Sequence, residues 1–419
     1  MIVFSLLLVV LALFGAPLFA IIAAGALLSF VSQDPDLGVA VPIEIFGIAE
    51  MPILLAIPLF TIAGYVLSES QAPGRLVRLS RAMLGWMPGG LAIVSIAACA
   101  FFTAFTGASG VTIIALGAIL YPALAEAGYA ERFNLGLVTA GGSLGLLFAP
   151  SLPLILYGIV AEVSIDDLFI AGVLPGTLML LSLAAYALWA NRGNREPLSN
   201  FSWGEVWAAL RESLLELPLP VVVLGGIYSG LLAVSEAAAV TAIYVILVEV
   251  VIRREIPVSK LPGIMRESMV LVGGILLILG ASLASTNYVI DAEVPQRLIE
   301  LVTSYVDSRT SFLVLLLLFL LVLGAFLDIF SALVLVVPLI LPVAAEYGVE
   351  PIHLGMVFLA TMQLGYLTPP VGLNLFIASY RFNQPILHVY RATLPFLLIL
   401  LLTVIVITFV PDLSLVLVR

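Results

Sequence analysis

The chain has 419 residues, of which 63% are hydrophobic and 10% charged, with a formal net charge of −10 at pH 7 and a mean hydropathy of +1.24. That composition identifies a polytopic membrane protein, in which the position of a charge says more than the sum of charges. A single cysteine, Cys99, and two histidines, His353 and His388, exclude a disulfide framework and argue against a metal site built on Cys or His.

Apolar segments fall at 2–31, 51–69, 87–125, 133–161 and 168–190, and then at 217–252, 268–286, 311–345, 353–380 and 389–410. The first lacks a basic leader and continues to Val31, so it reads as part of the mature fold and not as a signal peptide. It is too long for one ordinary span, and Gly15-Ala16-Pro17 supplies a helix stop followed by a helix start. Two short helices result, each about 22 Å long. Segment 217–252 divides in the same way, with Gly230 ending one helix and Ser235 placed to cap the next.

Segments 87–125 and 311–345 each hold two apolar stretches around a small tip: Thr106-Gly107-Ala108-Ser109 in one, Leu327-Asp328-Ile329-Phe330-Ser331 in the other. Tips so weakly polar are poor aqueous loops, and both segments read as re-entrant hairpins. Segment 353–380 contains Leu-Gly-Tyr-Leu-Thr-Pro-Pro-Val-Gly-Leu-Asn-Leu at 364–375. Its proline pair removes two backbone donors, so the helix must break near Thr368. A break within lipid persists only where protein, an ion or a cavity satisfies the freed carbonyls.

An offset of 220 residues pairs Pro122 with Pro342, Glu126 with Glu346, Gly128 with Gly348, Leu144-Gly145 with Leu364-Gly365, and Pro150 with Pro370. The break at 364–375 therefore has a twin at 148–153, and the chain reads as a duplicated transporter half. With each half making five crossings plus one hairpin, the two repeats are inverted. Lys and Arg concentrate in short cytoplasmic loops. Placing both termini outside puts 13 of the 16 basic residues inside, leaving only Arg297, Arg309 and Arg419 outside. The expected fold is an all-α polytopic membrane protein of two inverted-topology repeats. The first spans 1–195, with helices at 2–69, a hairpin at 87–125, a broken helix at 133–161 and a helix at 168–190. A cytoplasmic connector follows at 196–215. The second repeat spans 216–419, with helices at 217–286, a hairpin at 311–345, a broken helix at 353–380 and a helix at 389–410.

Each half offers a hairpin tip facing a broken helix. Helix C-termini present carbonyls that suit Na⁺, and helix N-termini present amides that suit a carboxylate. The first pair supplies Gly107, Ser109, Gly141, Gly142 and Ser143; the second supplies Asp328, Gly365, Thr368 and Pro369. Sets made of oxygen alone fit a hard monovalent cation better than a transition metal. Gly107, Ser109, Gly142, Ser143, Asp328, Gly365, Thr368 and Pro369 are accordingly the candidate Na⁺ residues. Thr106, Ser109, Ser151, Asp328 and Asn374 are the candidate solute residues. Bland readings stand beside these: Gly141 and Gly142 serve tight helix packing, Thr368-Pro369-Pro370 is a structural kink, and Asp328 caps the second hairpin helix near Ser331. Glu126 and Glu346 read as interfacial, Glu236 as a helix N-terminal residue, and the four tryptophans as interface markers. No Walker loop, Gly-x-Ser-x-Gly or His-Glu-x-x-His occurs, so no enzyme is expected and energy must come from an ion gradient or a partner.

Several stretches together resemble the large membrane subunit of tripartite ATP-independent periplasmic (TRAP) transporters. They are Ile-Pro-Leu-Phe-Thr-Ile-Ala-Gly at 57–64, Met-Pro-Gly-Gly-Leu at 87–91, the 105–110 tip, Gly-Ile-Tyr-Ser-Gly at 226–230 before Ser-Glu-Ala at 235–237, and Leu-Thr-Pro-Pro-Val-Gly-Leu-Asn at 367–374. The resemblance covers nearly the whole chain and implies an elevator-type carrier with scaffold and transport domains, coupled to Na⁺. It also implies a small four-helix membrane subunit, a soluble periplasmic binding protein and an organic-acid solute, all at a cytoplasmic (inner) membrane and with no nucleic acid. The small subunit is not expected to be fused here. Two departures stand out: the first tip reads Thr106-Gly107-Ala108-Ser109 where the family often has Ser-Gly-Ser, and Ala149-Pro150-Ser151 keeps one proline of a usual pair. The alternative is a stand-alone, citrate-type anion carrier of the same architecture; a channel or assembly scaffold fits paired hairpins and broken helices less well.

Overall fold

A computed structural model describes residues 7–8, 10–11, 14–87, 89–192 and 201–419. Residues 1–6, 9 and 12–13 of the first of the two short helices expected in segment 2–31, Pro88 of the 87–91 stretch, and the start of the connector, 196–200, lie outside the described residues, as does Arg195 of the charge map. The described chain is helical and contains no strand. Pro17 precedes α1 (Leu18–Gln33), as expected of a helix start, and a polar turn leads to the short α2 (Ala40–Gly47). The span α3 (Ala56–Glu69) is followed by α4 (Ala72–Leu84).

The first hairpin consists of α5 (Gly90–Thr106) and a returning leg, α6 (Ser109–Ala115) and α7 (Gly117–Glu126), bent by 49°. The first broken helix is α8 (Glu131–Gly141), a tight turn at Leu144–Leu147, and α9 (Leu152–Val160), bent by 43°. Helices α10 (Ile165–Ala171) and α11 (Val173–Ala190) close the first half, and α12 (Trp203–Glu212) lies in the connector.

The second half follows the same order. It contains α13 (Pro218–Tyr228), α14 (Val234–Ile246), α15 (Leu261–Asp291), α16 (Val294–Tyr305) and the second hairpin, α17 (Arg309–Phe326) with α18 (Ile329–Glu346). The second broken helix is α19 (Pro351–Gly365) and α20 (Leu373–Arg381); α21 (Ile386–Phe409) and the short α22 (Asp412–Leu415) end the chain. Among the described residues seven helices are long and apolar enough to cross a membrane, or nine if each bent pair counts as one span.

Three details differ from the sequence reading. The second tip is shorter than the five residues expected: only Leu327 and Asp328 separate the helices, because Asp328 caps α18 and draws Ile329, Phe330 and Ser331 into its first turn. Ser235 is not a cap. Helix α14 begins one residue earlier, at Val234, where the Glu236 carboxylate accepts from the Ala233 N–H at 2.9 Å and so satisfies the helix entry in place of a serine. Helix α15 extends well beyond 268–286, since the polar residues Arg266 and Glu267 are accommodated on its partly exposed face.

Two packing groups are visible. In one, α15 packs on α1, α2 and α3, and α3 packs on α14. In the other, both hairpins and both broken helices gather with α11 and α21: α5 lies on α8 and on the turn at Leu144–Leu147, α17 on α19, and α21 on α8, α11 and α19. Helices α4 and α16 join one group to the other in sequence. The broken helices sit at the centre, where every residue from 353 to 367 is buried. Close apolar packing in this region holds the helix ends in a fixed relation.

Candidate functional site

The two halves exchange contacts at their breaks. Helix α20, after the second break, packs on α6, the returning leg of the first hairpin; α9, after the first break, packs on α18, the returning leg of the second. Four helix N-termini (α6, α9, α18, α20) and four C-termini (α5, α8, α17, α19) thus belong to one assembly of tips and breaks. Such ends leave backbone amides and carbonyls without intrahelical partners.

Asn374 makes the sharpest link. It is fully buried; its side-chain carbonyl accepts from the Ser109 hydroxyl at 2.7 Å, and its amide donates to the Thr139 carbonyl at 3.3 Å. One side chain of the second break therefore ties together the first tip and the first broken helix. Its own N–H donates to the Tyr366 carbonyl across the break at 3.2 Å. Gly372, with φ +51°, turns the chain into α20, a backbone geometry that L side chains rarely adopt.

The first tip turns at Gly107, which ends α5 in the left-handed conformation, φ +63°. Thr106 is fully buried and its hydroxyl bonds weakly to the Ala108 carbonyl at 3.4 Å. Ser143 donates to the Ala140 carbonyl at 3.4 Å, and Ser151 donates to the Leu146 carbonyl at 2.6 Å, so its hydroxyl shapes the break from within. Gly141 approaches the Cys99 side chain, in keeping with its packing alternative, whereas the Gly142 carbonyl points at a hydroxyl of α5.

That hydroxyl, Thr103, was missed from the sequence, together with Thr112. Thr103 Oγ1 lies 2.8 Å from the Cys99 carbonyl, 2.8 Å from the Gly142 carbonyl and 2.7 Å from the Thr112 hydroxyl, and Thr106 Oγ1 is 3.5 Å from Thr112. A hydroxyl carries one hydrogen, so buried Thr103 can donate to only one of the Cys99 and Gly142 carbonyls, and the other oxygen–oxygen approach has no hydrogen from Thr103 between its partners. Spacing held a clue: Thr103 is one helical turn before Thr106, and Thr112 one turn after Ser109.

At the second tip Asp328 is half-buried. One carboxylate oxygen accepts from the Phe330 and Ser331 N–H groups, both at 3.0 Å, and the other accepts from the Ser331 hydroxyl at 2.5 Å. The capping alternative thus describes its geometry. An ionised carboxylate offers about four lone-pair sites, so three such bonds leave acceptor capacity over. The Tyr366 hydroxyl accepts from the Ile329 N–H at 3.1 Å, which joins this tip to the second break. Gly365 packs against Gly324 so closely that an added Cβ would stand 2.4 Å from its backbone. Thr368 donates to the Leu364 carbonyl at 2.9 Å, and Pro369 is exposed; neither shares a hydrogen bond with Asp328. Both X-Pro bonds at the breaks, Ala149–Pro150 and Pro369–Pro370, are cis.

Comparison with known proteins shows the family and the fold. Residues 4–413 match the family described as "Tripartite ATP-independent periplasmic transporter, DctM component". The chain is 35% identical to the C4-dicarboxylate TRAP transporter large permease protein DctM of Pseudomonas aeruginosa, over 91% of this chain and 90% of that protein. It is 31% identical to the ectoine/5-hydroxyectoine TRAP transporter large permease protein UehC of Ruegeria pomeroyi, over 97% and 96% of the two chains. Among solved structures, the Alcanivorax borkumensis YdaH transporter, described as having an unusual topology, shares the fold with a TM-score of 0.62 at 17% identity, over 90% of this chain and 88% of that one. The chain is a multi-pass membrane transport protein, not an enzyme, and belongs to the DctM family of large permease components of TRAP transporters.

Proposed function

We propose that this permease imports an organic acid by Na⁺-coupled secondary transport, with the hairpins and broken helices moving as a transport domain against a scaffold formed by α1, α2, α3, α13, α14 and α15. A small four-helix membrane subunit and a soluble periplasmic binding protein complete the system, and the binding protein delivers the solute. Of the two relatives described above, one is named for a C4-dicarboxylate and the other for ectoine and 5-hydroxyectoine.

The observation that carries this reading is the buried oxygen group around Thr103. Where two buried oxygens approach with one hydrogen too few, a monovalent cation supplies the positive charge that the hydrogen does not. Thr103, Thr112 and the Gly142 carbonyl would hold one ion beside the first tip, with Ser109 and Asn374 adjoining. At the second tip the spare acceptor capacity of Asp328 faces the same role. The N-termini of α6 and α20 favour the solute carboxylate. Coupling follows because each ion orders the backbone that also binds solute, so occupancy by one raises affinity for the other.

The test is uptake by the reconstituted complex with its binding protein, with and without an inward Na⁺ gradient. Uptake that follows the gradient is expected; uptake indifferent to Na⁺ overturns the coupling.

A further inference from the structure

Five charged side chains form a cluster that the tips and breaks do not use. Arg75 of α4 is only 8% exposed, yet its guanidinium meets three carboxylates. Nη2 donates to Glu216 at 2.6 Å and to Glu249 at 3.3 Å, and Nη1 donates to Glu255. Glu249 is fully buried and Glu216 2% exposed. Arg253 donates to Glu216 at 3.3 Å and to the Glu212 carbonyl, and the Gln71 N–H donates to Glu255 at 2.8 Å. The backbone is shaped around this cluster: α14 widens into a π-helical turn at Leu247–Ile252, and Arg254 adopts φ +55° between the two residues that bind Glu216 and Arg75.

Burying charges is costly, and apolar side chains of similar volume would hold two helices together at least as firmly. What a planar guanidinium adds is geometry, because its fork of donors fixes both position and rotation of the helix that carries it. That helix, α4, connects α3 to the first leg of the first hairpin. One turn further on, Arg78 binds Glu205 and Glu212 of α12. Among the described residues every ion pair of α4 therefore runs to α12, to Glu216 just before α13 or to the segment that follows α14, and none runs to the hairpin. The equivalent helix of the second half, α16, joins α15 to the second hairpin and makes no ion pair among the described residues.

We infer that Arg75 is a positioning residue for transport: together with Arg78, which binds α12, it pins α4, through Glu216 just before α13 and Glu249 and Glu255 after α14, so that the α4 joint is the fixed end of the carrier movement and the unpinned α16 joint is the end that yields. This rests on the carrier reading above.

Spin-label distances in the reconstituted complex, in Na⁺ and in K⁺, test it on three cysteine pairs introduced at exposed positions in a Cys99→Ala background. Met83→Cys with Trp207→Cys spans α4 and α12, Val270→Cys with Leu301→Cys spans α15 and α16, and Ile114→Cys with Val240→Cys spans the first hairpin and α14. Expected are a shift in the 114–240 and 270–301 distances and none in the 83–207 distance. A shift at 83–207 as large as that at 270–301 overturns the inference and leaves the carrier reading intact. A fixed 114–240 distance overturns both. A second variant, Arg75→Met and Arg253→Gln with Glu216→Gln, Glu249→Gln and Glu255→Gln, removes all five charges of the cluster and so strands none of them. It is expected to fold, to broaden the 83–207 distribution, and to lose most of its uptake rate at unchanged KM. A lowered melting temperature with an unchanged rate per folded molecule assigns the cluster a merely structural role and overturns the inference.

Discussion

Replacing Asn374 with alanine tests the joint between the two halves. The substitution removes both ends of a bridge: the Ser109 hydroxyl at 2.7 Å and the Thr139 carbonyl at 3.3 Å, in a site where Asn374 is fully buried and Ser109 is 4% exposed. Each hydrogen bond contributes about 0.5–1.5 kcal/mol net, and a buried group left unpartnered costs about 1–3 kcal/mol. The 3.3 Å bond is the weaker, so about 2–4 kcal/mol is the expected loss, on the order of 30- to 1000-fold in the equilibrium that holds the first tip against α20. Uptake by reconstituted protein should fall by about tenfold or more, while the helical content stays unchanged. A cycle with Ser109→Ala isolates the pair. The double variant should be less impaired than the sum of the single ones, with a coupling of about 1 kcal/mol or more. Wild-type uptake by Asn374→Ala, or strict additivity with Ser109→Ala, refutes the idea that this contact assembles the site.

Three further outcomes follow from the geometry. Asp328→Ser keeps a capping oxygen and removes the charge, so thermal stability should stay within about 1 kcal/mol of wild type while uptake requires more Na⁺; unchanged Na⁺ dependence would leave Asp328 as a cap alone. Gly365→Ala would place a methyl 2.4 Å from the Gly324 backbone, and overpacking of this kind costs about 1–3 kcal/mol, readable as a lower melting temperature of the purified protein. Outside the membrane, burial pushes the Glu255 carboxyl up, but the Gln71 N–H and the Arg75 guanidinium outweigh it and hold its pKa below the ordinary 4.5. A depressed carboxylate pKa contributes stability above the unfolded value and loses it as pH falls through the folded one. Melting temperature should therefore decline below about pH 4.5 in wild type, with a shallower slope in Glu255→Gln.

What could be read in the sequence, and what could not, divides along physical lines. Long apolar runs and proline-bearing breaks are local signals, so the hairpin legs, the breaks at Pro150 and Pro370 and the turn at Gly107 were legible. Helices α4 and α16 were not, because a one-sided apolar pattern interrupted by charge does not register as an apolar segment. Asp328 could be named as ligand or as cap, and only the donors around it show that it caps. The Ser109–Asn374 bond joins residues 265 apart, and no spacing rule reaches across that distance. The acids gathered by Arg75 were invisible for the same reason: Arg75 counted toward the charge map, but Glu216, Glu249 and Glu255 pair with it only through the fold.

The most direct test of the ion site is equilibrium binding of radioactive sodium to the purified permease, wild type beside Thr103→Val. Valine keeps the shape of the side chain and removes the oxygen that stands 2.7 Å from Thr112 and 2.8 Å from the Gly142 carbonyl. Saturable binding to wild type, weakened in Thr103→Val with little change in melting temperature, is expected. Equal binding by the two proteins, or no saturable binding by either, would contradict the assignment of Na⁺ to the first tip.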